Sequence, residues 1–283
     1  MGSLVRCEIR KAFCNRWFFI ALAAGCMLAA ISAISNALVD YEANLVGIEY
    51  LDSKWLDFSS SSCFKYWIVI DFIQPTTGLF FLLLPLLAVL PYAWSYLEER
   101  KSGYVGSVVV HTARIKYFFA KYIAVFLSGA LAVAIPIVLN FLICACFMPA
   151  RMPDVFAVIY FGIFEENLWS EVFYTNPFLY VALFTLLNFA FSGLWAVTVF
   201  ALSGLLRNRV ALTILPYLAW VFVDFVSDTV LQDVVDVELT PFGFLRGIGA
   251  DHPADGGVIA VILAIMLIVS VIGTYVNSRR DIL

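Results

Sequence analysis

The chain has 283 residues, of which 63% are hydrophobic and only 13% are charged, and its mean hydropathy is +0.94. Soluble domains are about 45–50% apolar and about 25% charged, so this composition excludes an ordinary soluble domain and indicates an integral membrane protein. The formal net charge of −4 conceals an uneven distribution of acids and bases along the chain.

Six apolar segments follow one another along the sequence, and about 20 residues are enough to cross about 30 Å of hydrocarbon. The segments do not show the alternating ten-residue pattern of a membrane β-barrel. We therefore predict an all-α integral membrane protein with six transmembrane helices in one domain, residues 1–283. The predicted spans are 17–39, 72–97, 117–148, 177–206, 210–231 and 256–278.

The bases and acids divide between the segments that connect these spans. If the N-terminus is cytoplasmic, 13 of the 17 Lys and Arg residues lie in the inner segments 1–16, 98–121, 207–209 and 279–283. In the same arrangement 17 of the 21 Asp and Glu residues lie on the outer side. The positive-inside rule then places both termini in the cytoplasm, as expected for a multi-pass protein of the inner or plasma membrane.

Residues 2–16 carry apolar side chains at helical spacing and bases that lie largely on other faces. The apolar set is Val5, Ile9, Ala12 and Phe13, and the basic set is Arg6, Arg10 and Lys11. This pattern predicts an amphipathic helix that lies in the inner membrane interface, with its bases near anionic headgroups. The alternative is a basic leader that only orients the first span.

The first outer loop, residues 40–71, is acidic and aromatic, and we expect Trp67 to belong to an interfacial aromatic belt. The six cysteines are distributed over both sides of the membrane and over the spans, so we expect no disulfide framework. Cys63 is then a free thiol on the outer side, open to an impermeant reagent, whereas Cys7 and Cys14 are cytoplasmic.

Motifs that would supply catalytic chemistry are absent from the sequence. It contains no Gly-x4-Gly-Lys-Ser/Thr phosphate loop, no His-Glu-x-x-His zinc site and no Gly-x-Ser-x-Gly nucleophile elbow. We therefore expect a protein that is not an enzyme, without catalytic, cofactor-binding or metal-binding residues. Asp224 is the one candidate for a functional acid in a span. It follows Val210 by about 21 Å of helix, which favours a position near the outer interface.

Residues 98–121 are the one substantial cytoplasmic segment between spans. They begin with Glu98 and Glu99, and Gly103 and Gly106 permit a sharp change of chain direction. A short apolar stretch and three further bases then lead into the third span. A charged cytoplasmic helix in this place can receive force from a soluble partner. A loop that only enforces topology would explain the bases but not the two acids.

The segment "YLEERKSGYVGSVVVHTARIKYFFAKY" resembles the intracellular segment of the permease subunits of type-2 (ABC-2-type) ABC exporters. The matching residues are Glu98, Glu99, Arg100, Gly103, Arg114 and Lys121. The stretch "ELTPFGFL", residues 238–245, is similar to the Pro-aromatic element that such permeases carry before the last span. The basic N-terminal helix and the six-span pattern agree with the same family. The stretch "VVVHTA" departs from the usual threonine-containing, leucine-rich sequence with a proline before the arginine.

This resemblance implies the membrane-spanning permease subunit of an ATP-driven exporter in a bacterial membrane. ATP and Mg²⁺ would bind to two separate ABC ATPase subunits, and a second permease subunit, identical or different, would complete the pathway within the lipid bilayer. Residues 98–121 would form a cytoplasmic coupling helix between spans 2 and 3. In that role Glu98 and Glu99 would pair with basic residues of the ATPase, Gly103 would allow the turn, and Arg114 and Lys121 would hold the helix on the membrane.

The family further implies an amphipathic or lipid-like cargo, such as an antimicrobial peptide or a drug, and no nucleic-acid partner. Two alternatives remain at this point. One is an ATP-independent multi-pass carrier or channel, which would transport without a soluble partner. The other is a membrane scaffold, which would need no transport pathway.

Overall fold

The computed structural model contains only helices as regular elements in the ranges that it describes. Those ranges are residues 2–50, 61–154, 158–206, 208–227, 229, 237–248 and 253–279. The helices are α1 (Gly2–Phe13), α2 (Arg16–Tyr50), α3 (Pro75–Val89), α4 (Ser95–Lys101), α5 (Tyr104–His111), α6 (Arg114–Phe147), α7 (Val158–Phe161), α8 (Ser170–Thr175), α9 (Pro177–Ala201), α10 (Arg209–Val226), α11 (Pro241–Phe244) and α12 (Gly256–Arg279).

Five of the described helices, α2, α6, α9, α10 and α12, are long and apolar enough to cross a membrane. The chain is therefore an α-helical, multi-pass membrane protein, as the composition predicts. These five helices begin within three residues of the starts predicted for five of the six spans. Helix α2 continues to Tyr50, 11 residues beyond the predicted end of the first span, so the prediction that an outer loop begins at residue 40 is wrong. Helix α9 ends at Ala201, before the predicted end of the fourth span, and α10 ends at Val226, before that of the fifth. The last predicted residues of that span lie largely outside the described ranges.

The predicted second span, residues 72–97, is not one continuous helix. Helix α3 covers only 15 residues and ends at Val89, turns occupy residues 90–94, and α4 then begins at Ser95. Pro91 lies in these turns, and its nitrogen cannot donate the backbone hydrogen bond that would continue the helix. A helix of 15 residues is about 22 Å long, which is shorter than the hydrocarbon core.

The most extensive contact in the bundle is between α6 and α9; α2 packs against α6, and α12 packs against both α9 and α6. Helix α3 packs against α2, α6 and α9. A Cβ atom on Gly129 of α6 would lie 2.6 Å from the Cβ of Ala196 and 2.7 Å from the carbonyl oxygen of Ala88. Glycine is needed there because three helices approach one another at that point, in the manner of small-residue packing in membranes.

Residues 61–71 fold into the bundle instead of forming an outer surface. The indole N–H of Trp67 donates to the carbonyl oxygen of Ile137 at 3.2 Å, and the amide of Asn140 accepts from the backbone N–H of Ile68 at 2.8 Å. Trp67 and Cys63 are both fully buried. The exposed positions predicted for these two residues, in an aromatic belt and as an accessible thiol, are therefore wrong.

Helix α1 has the amphipathic pattern that the sequence predicts and packs against α6. Arg6 and Arg10 are exposed, and Ala12 is fully buried. The other fully buried residue of this helix is Glu8, whose side chain is only 1% exposed. A carboxylate in that place requires partners, and they define the candidate site.

Candidate functional site

Four helices, α1, α4, α5 and α6, meet at one end of the bundle, where their polar side chains form the cluster that we call the charge network. The connection between α4 and α5 makes this meeting possible. Gly103 has a φ of +74°, a left-handed conformation that glycine adopts without steric cost. The chain therefore turns sharply after α4, and α5 starts beside α1.

Lys121 of α6 lies at the centre of the charge network and is fully buried. Its Nζ lies 3.3 Å from Oε2 of Glu8 and is hydrogen-bonded to Oε2 of Glu99. The hydroxyl groups of two tyrosines complete the cluster, because Tyr92 donates to Glu8 at 2.9 Å and Tyr117 donates to Glu99. Lys121 thus joins two carboxylates, one from α1 and one from α4, in a largely buried environment.

Lys11 of α1 is the second cation of the charge network and bridges the same two acids. Its Nζ lies 3.0 Å from Oε1 of Glu8 and 3.2 Å from Oε1 of Glu99. It also lies 4.1 Å from the centroid of the Tyr104 ring, at the first position of α5. The network therefore contains two lysines and two glutamates, and its formal charge is balanced.

The electrostatics of two members of the charge network, Glu99 and Lys11, favour their charged forms. Burial alone would raise the pKa of Glu99, but the charge of Lys121, hydrogen bonds from Lys121 and Tyr117, and the charge of Lys11 hold that pKa below its usual value. Burial likewise opposes the charge of Lys11, yet its hydrogen bonds and the two carboxylates raise the pKa of that amine above its usual value. Both groups remain ionised at neutral pH.

Glu98 makes a separate contact with the start of α10. Its Oε1 accepts a hydrogen bond of 2.8 Å from Nη1 of Arg209. The guanidinium group of Arg209 also lies 3.6 Å from the centroid of the Trp94 ring and 4.6 Å from that of Trp17. Trp94 immediately precedes α4 and Trp17 is the second residue of α2, so Arg209 connects the start of α10 to two other helices.

The structure brings together two of the six residues that the sequence singled out, Glu99 and Lys121. Glu98 lies on α4 as well but contacts Arg209 instead. Arg100 lies in the last turn of α4, Arg114 is the first residue of α6, and Gly103 provides the turn between α4 and α5. Glu98 and Glu99 both have partners within the chain, and their proposed contacts with an ATPase remain predictions.

The sequence reasoning did not identify Glu8, Lys11, Tyr92 or Tyr117 as members of the site. One pattern could have pointed to α1, since Glu8 and Lys11 are three residues apart on a helix and form a pair on one face. The single acid in an otherwise basic helix is the second such indication. The tyrosines give no comparable pattern, because aromatic residues occur throughout the chain.

The charge network is suited to holding helices in register rather than to covalent chemistry. Within the described ranges, no group of three or more His, Cys, Asp or Glu side chains could hold a metal ion. The side chains of Lys121 and Glu99 make their polar contacts with other side chains in the described part of the chain. No protein-family model and no curated protein matches the chain.

Proposed function

We propose that this chain is the permease subunit of an ATP-driven exporter of the type-2 ABC family, moving an amphipathic or lipid-like substrate. The observation that carries the proposal is the unit formed by α4 and α5. These helices of seven and eight residues are separated by a left-handed glycine and joined to the bundle through Glu98 and Glu99. A displacement of this unit can therefore be transmitted to the bundle through the contacts of both glutamates.

The exposed face of α5 is suited to contact with a soluble subunit. Val105 is fully buried and fixes the helix to the bundle, whereas Val110 is 80% exposed and Tyr104 is 38% exposed. We infer that α5 is the coupling helix and that the ATPase subunit contacts Val110 and the surrounding exposed surface. ATP and Mg²⁺ would bind to that subunit, and two such subunits would serve two permease chains.

We further propose that α3, the turns at residues 90–94 and α4 together cross the membrane as the second of six spans. Residues 91–97 are all buried, so the break in the helix lies inside the protein and not in a solvent loop. Broken helices are tolerated at membrane depth where neighbouring helices surround them. The distribution of bases then places the charge network, both termini and α5 on the cytoplasmic side.

Co-purification from the native host tests this function. The tagged chain is isolated in a mild detergent, with and without cross-linking, and the bound proteins are identified and weighed. We expect a soluble ATPase in a 1:1 ratio to the chain. Recovery of the chain alone after cross-linking would instead favour an ATP-independent carrier or a scaffold.

A pair of variants locates the docking surface. Val110→Asp places a charge on the exposed face of α5, and we expect it to reduce the recovered ATPase strongly. Ser3→Asp is the matched control, because Ser3 is exposed on α1 at the same end of the bundle. Equal recovery with both variants would show that α5 does not carry the contact.

A further inference from the structure

A second feature of the molecule lies away from the charge network, between α9, α10, α12 and the segment 238–245. It is a cavity of about 400 Å³. Its lining includes Trp195 of α9, Trp220 and Asp224 of α10, Met266 of α12, and Thr240, which immediately precedes α11. Cavities that bind small organic molecules have volumes of about 300–1,000 Å³ and mostly apolar walls with a few polar groups.

Helix α10 supplies one wall through a single helical stripe. Pro216, Trp220 and Asp224 follow at intervals of four residues, so they lie on one face, and all three line the cavity. Asp224 is the one charged residue among the described residues of the lining. It is also in the last turn of α10, where the helix dipole adds partial negative charge. This end of the cavity therefore attracts cations.

Aromatic side chains form a second part of the cavity wall. The centroid of the Trp220 ring lies 4.6 Å from that of Trp195, 5.1 Å from that of Phe191 and 5.7 Å from that of Phe242. Aromatic faces attract organic cations, most strongly where water is excluded. The wall therefore offers an apolar surface that also favours positive charge.

The indole N–H of Trp220 provides an independent indication of an occupant. Trp220 is only 9% exposed, and its Nε1 makes no hydrogen bond in the part of the chain that the structure describes. Trp195, by contrast, donates to the carbonyl oxygen of Pro85 at 3.2 Å. A buried donor without an acceptor is unfavourable, and an acceptor atom of a bound molecule would satisfy it.

We propose that this cavity is a binding site for an amphipathic organic cation that also carries a hydrogen-bond acceptor for the indole N–H of Trp220. The apolar body of the ligand packs against Trp195 and Trp220, and its positive centre lies toward Asp224. A neutral acyl chain would use the apolar wall but would gain nothing from the carboxylate. The proposal is independent of an ATPase, since binding is measured on the purified chain alone, and its outcome leaves the co-purification result unaffected.

Two ions of the same shape and opposite charge test the proposal directly. Tetraphenylphosphonium and tetraphenylborate are titrated separately against the full chain in nanodiscs of zwitterionic lipid, with empty nanodiscs as the background. We expect saturable binding of one tetraphenylphosphonium per chain, at least tenfold tighter than that of tetraphenylborate. Equal affinity for the two ions, or no saturable binding of the cation, would overturn the proposal.

Variants assign the binding to this cavity. We expect Asp224→Asn to weaken cation binding at least tenfold and to remove the discrimination, whereas Glu171→Gln, an exposed acid on α8, leaves both unchanged. Ala219→Phe fills the cavity without changing its charge and should abolish binding. Leu218→Phe is the control for Ala219→Phe, because Leu218 is exposed and does not line the cavity. Retained discrimination in both cavity variants would place the cation elsewhere and refute the site.

Discussion

Lys121 is the residue on which the charge network depends most. Removing two lysines and two glutamates from water is costly, and their mutual attraction compensates only while each charge keeps its partners. Lys121 is fully buried and contacts both acids, whereas Lys11 is 34% exposed and can share its charge with solvent. Loss of Lys121 therefore leaves two carboxylates inside the protein with one partially solvated cation.

We expect Lys121→Met to destabilise the protein by about 3–5 kcal/mol, the usual effect of breaking a buried ion pair on one side. Lys116→Met is the matched control, because Lys116 lies on the same helix but is exposed, and its change should remain within about 0.5 kcal/mol. Unfolding of both variants in mixed detergent micelles measures the difference. Similar losses for the two variants would show that Lys121 is not the centre of the network.

The sequence could predict part of this site and not the rest, for a physical reason. Glu99 and Lys121 belong to one polar segment, so their importance follows from an unusual local composition. Glu8 lies 91 positions before Glu99 and 84 positions before Tyr92, which donates a hydrogen bond to it. Only the packing of α1 against α6 brings Glu8 to Lys121. Local patterns carry little information on such long-range contacts.

At the scale of elements, the turn between α4 and α5 depends on Gly103. A side chain at this position meets no neighbouring atom within 4 Å, so its φ of +74° is the only obstacle to substitution. Gly106 is equally unobstructed but does not have a positive φ. The two glycines therefore separate the effect of backbone conformation from that of space.

We expect Gly103→Ala to cost about 1–2 kcal/mol and to change the orientation of α5, because an L-residue resists the left-handed conformation. Gly106→Ala should be neutral or stabilise α5 by up to about 1 kcal/mol, since alanine favours helix. Thermal unfolding and proteolysis at the α4–α5 turn measure the two effects. A neutral Gly103→Ala variant would mean that the turn relaxes without cost.

The buried segment 61–71 shows where sequence reasoning about elements fails. Its serines, Lys65 and acidic surroundings have the composition of an outer loop, yet Asn36 and Asn140 satisfy its backbone from inside the bundle. The apolar spans were predictable because hydropathy alone determines whether a helix can cross a bilayer. The burial of a loop depends instead on specific side-chain partners.

Asn140 should therefore control access to Cys63. Its amide accepts from the N–H of Ile68 and donates to the carbonyl oxygen of Ala29, each at 2.8 Å. We expect slow modification of Cys63 by an impermeant maleimide in the wild type, since the thiol is buried and burial raises the pKa of Cys63 to about 11. Asn140→Leu should accelerate it at least tenfold, as read by peptide mass spectrometry.

A matched variant completes this experiment. Asn176→Ser changes an exposed asparagine that caps the start of α9 and lies away from the contact with Ile68. Serine also caps helices well, so this variant should leave the labelling rate of Cys63 unchanged. Rapid labelling of Cys63 in the wild type would contradict the burial of the whole segment.

At the scale of the whole molecule, the two acids of α4 reach different parts of the bundle. Glu99 contacts α1 and α6 through the charge network, and Glu98 contacts α10 through Arg209. Helix α10 has 18 residues, and its second half, from Pro216 to Asp224, contributes to the cavity. A displacement of α4 can therefore reach Asp224 through about 22 Å of a single helix.

This connection matters because α10 has few other attachments. Among its residues only Leu212, Pro216 and Trp220 are buried, whereas most of its large apolar side chains are exposed. At the start of this helix, Arg209 contacts Glu98 and the faces of Trp94 and Trp17. The orientation of α10 should thus depend on the contact between Glu98 and Arg209.

Reversal of the two charges tests this dependence. In a cysteine-free background, spin labels at Leu186→Cys of α9 and Leu218→Cys of α10, both exposed positions, report the separation of the helices. We expect Glu98→Arg to broaden the distance distribution by repulsion from Arg209, and Arg209→Glu in the same chain to narrow it again. The restoration should be partial because glutamate cannot stack on Trp94. Exposed Glu171→Arg on α8 should leave the distribution unchanged, and an equally unchanged Glu98→Arg would show that packing alone positions α10.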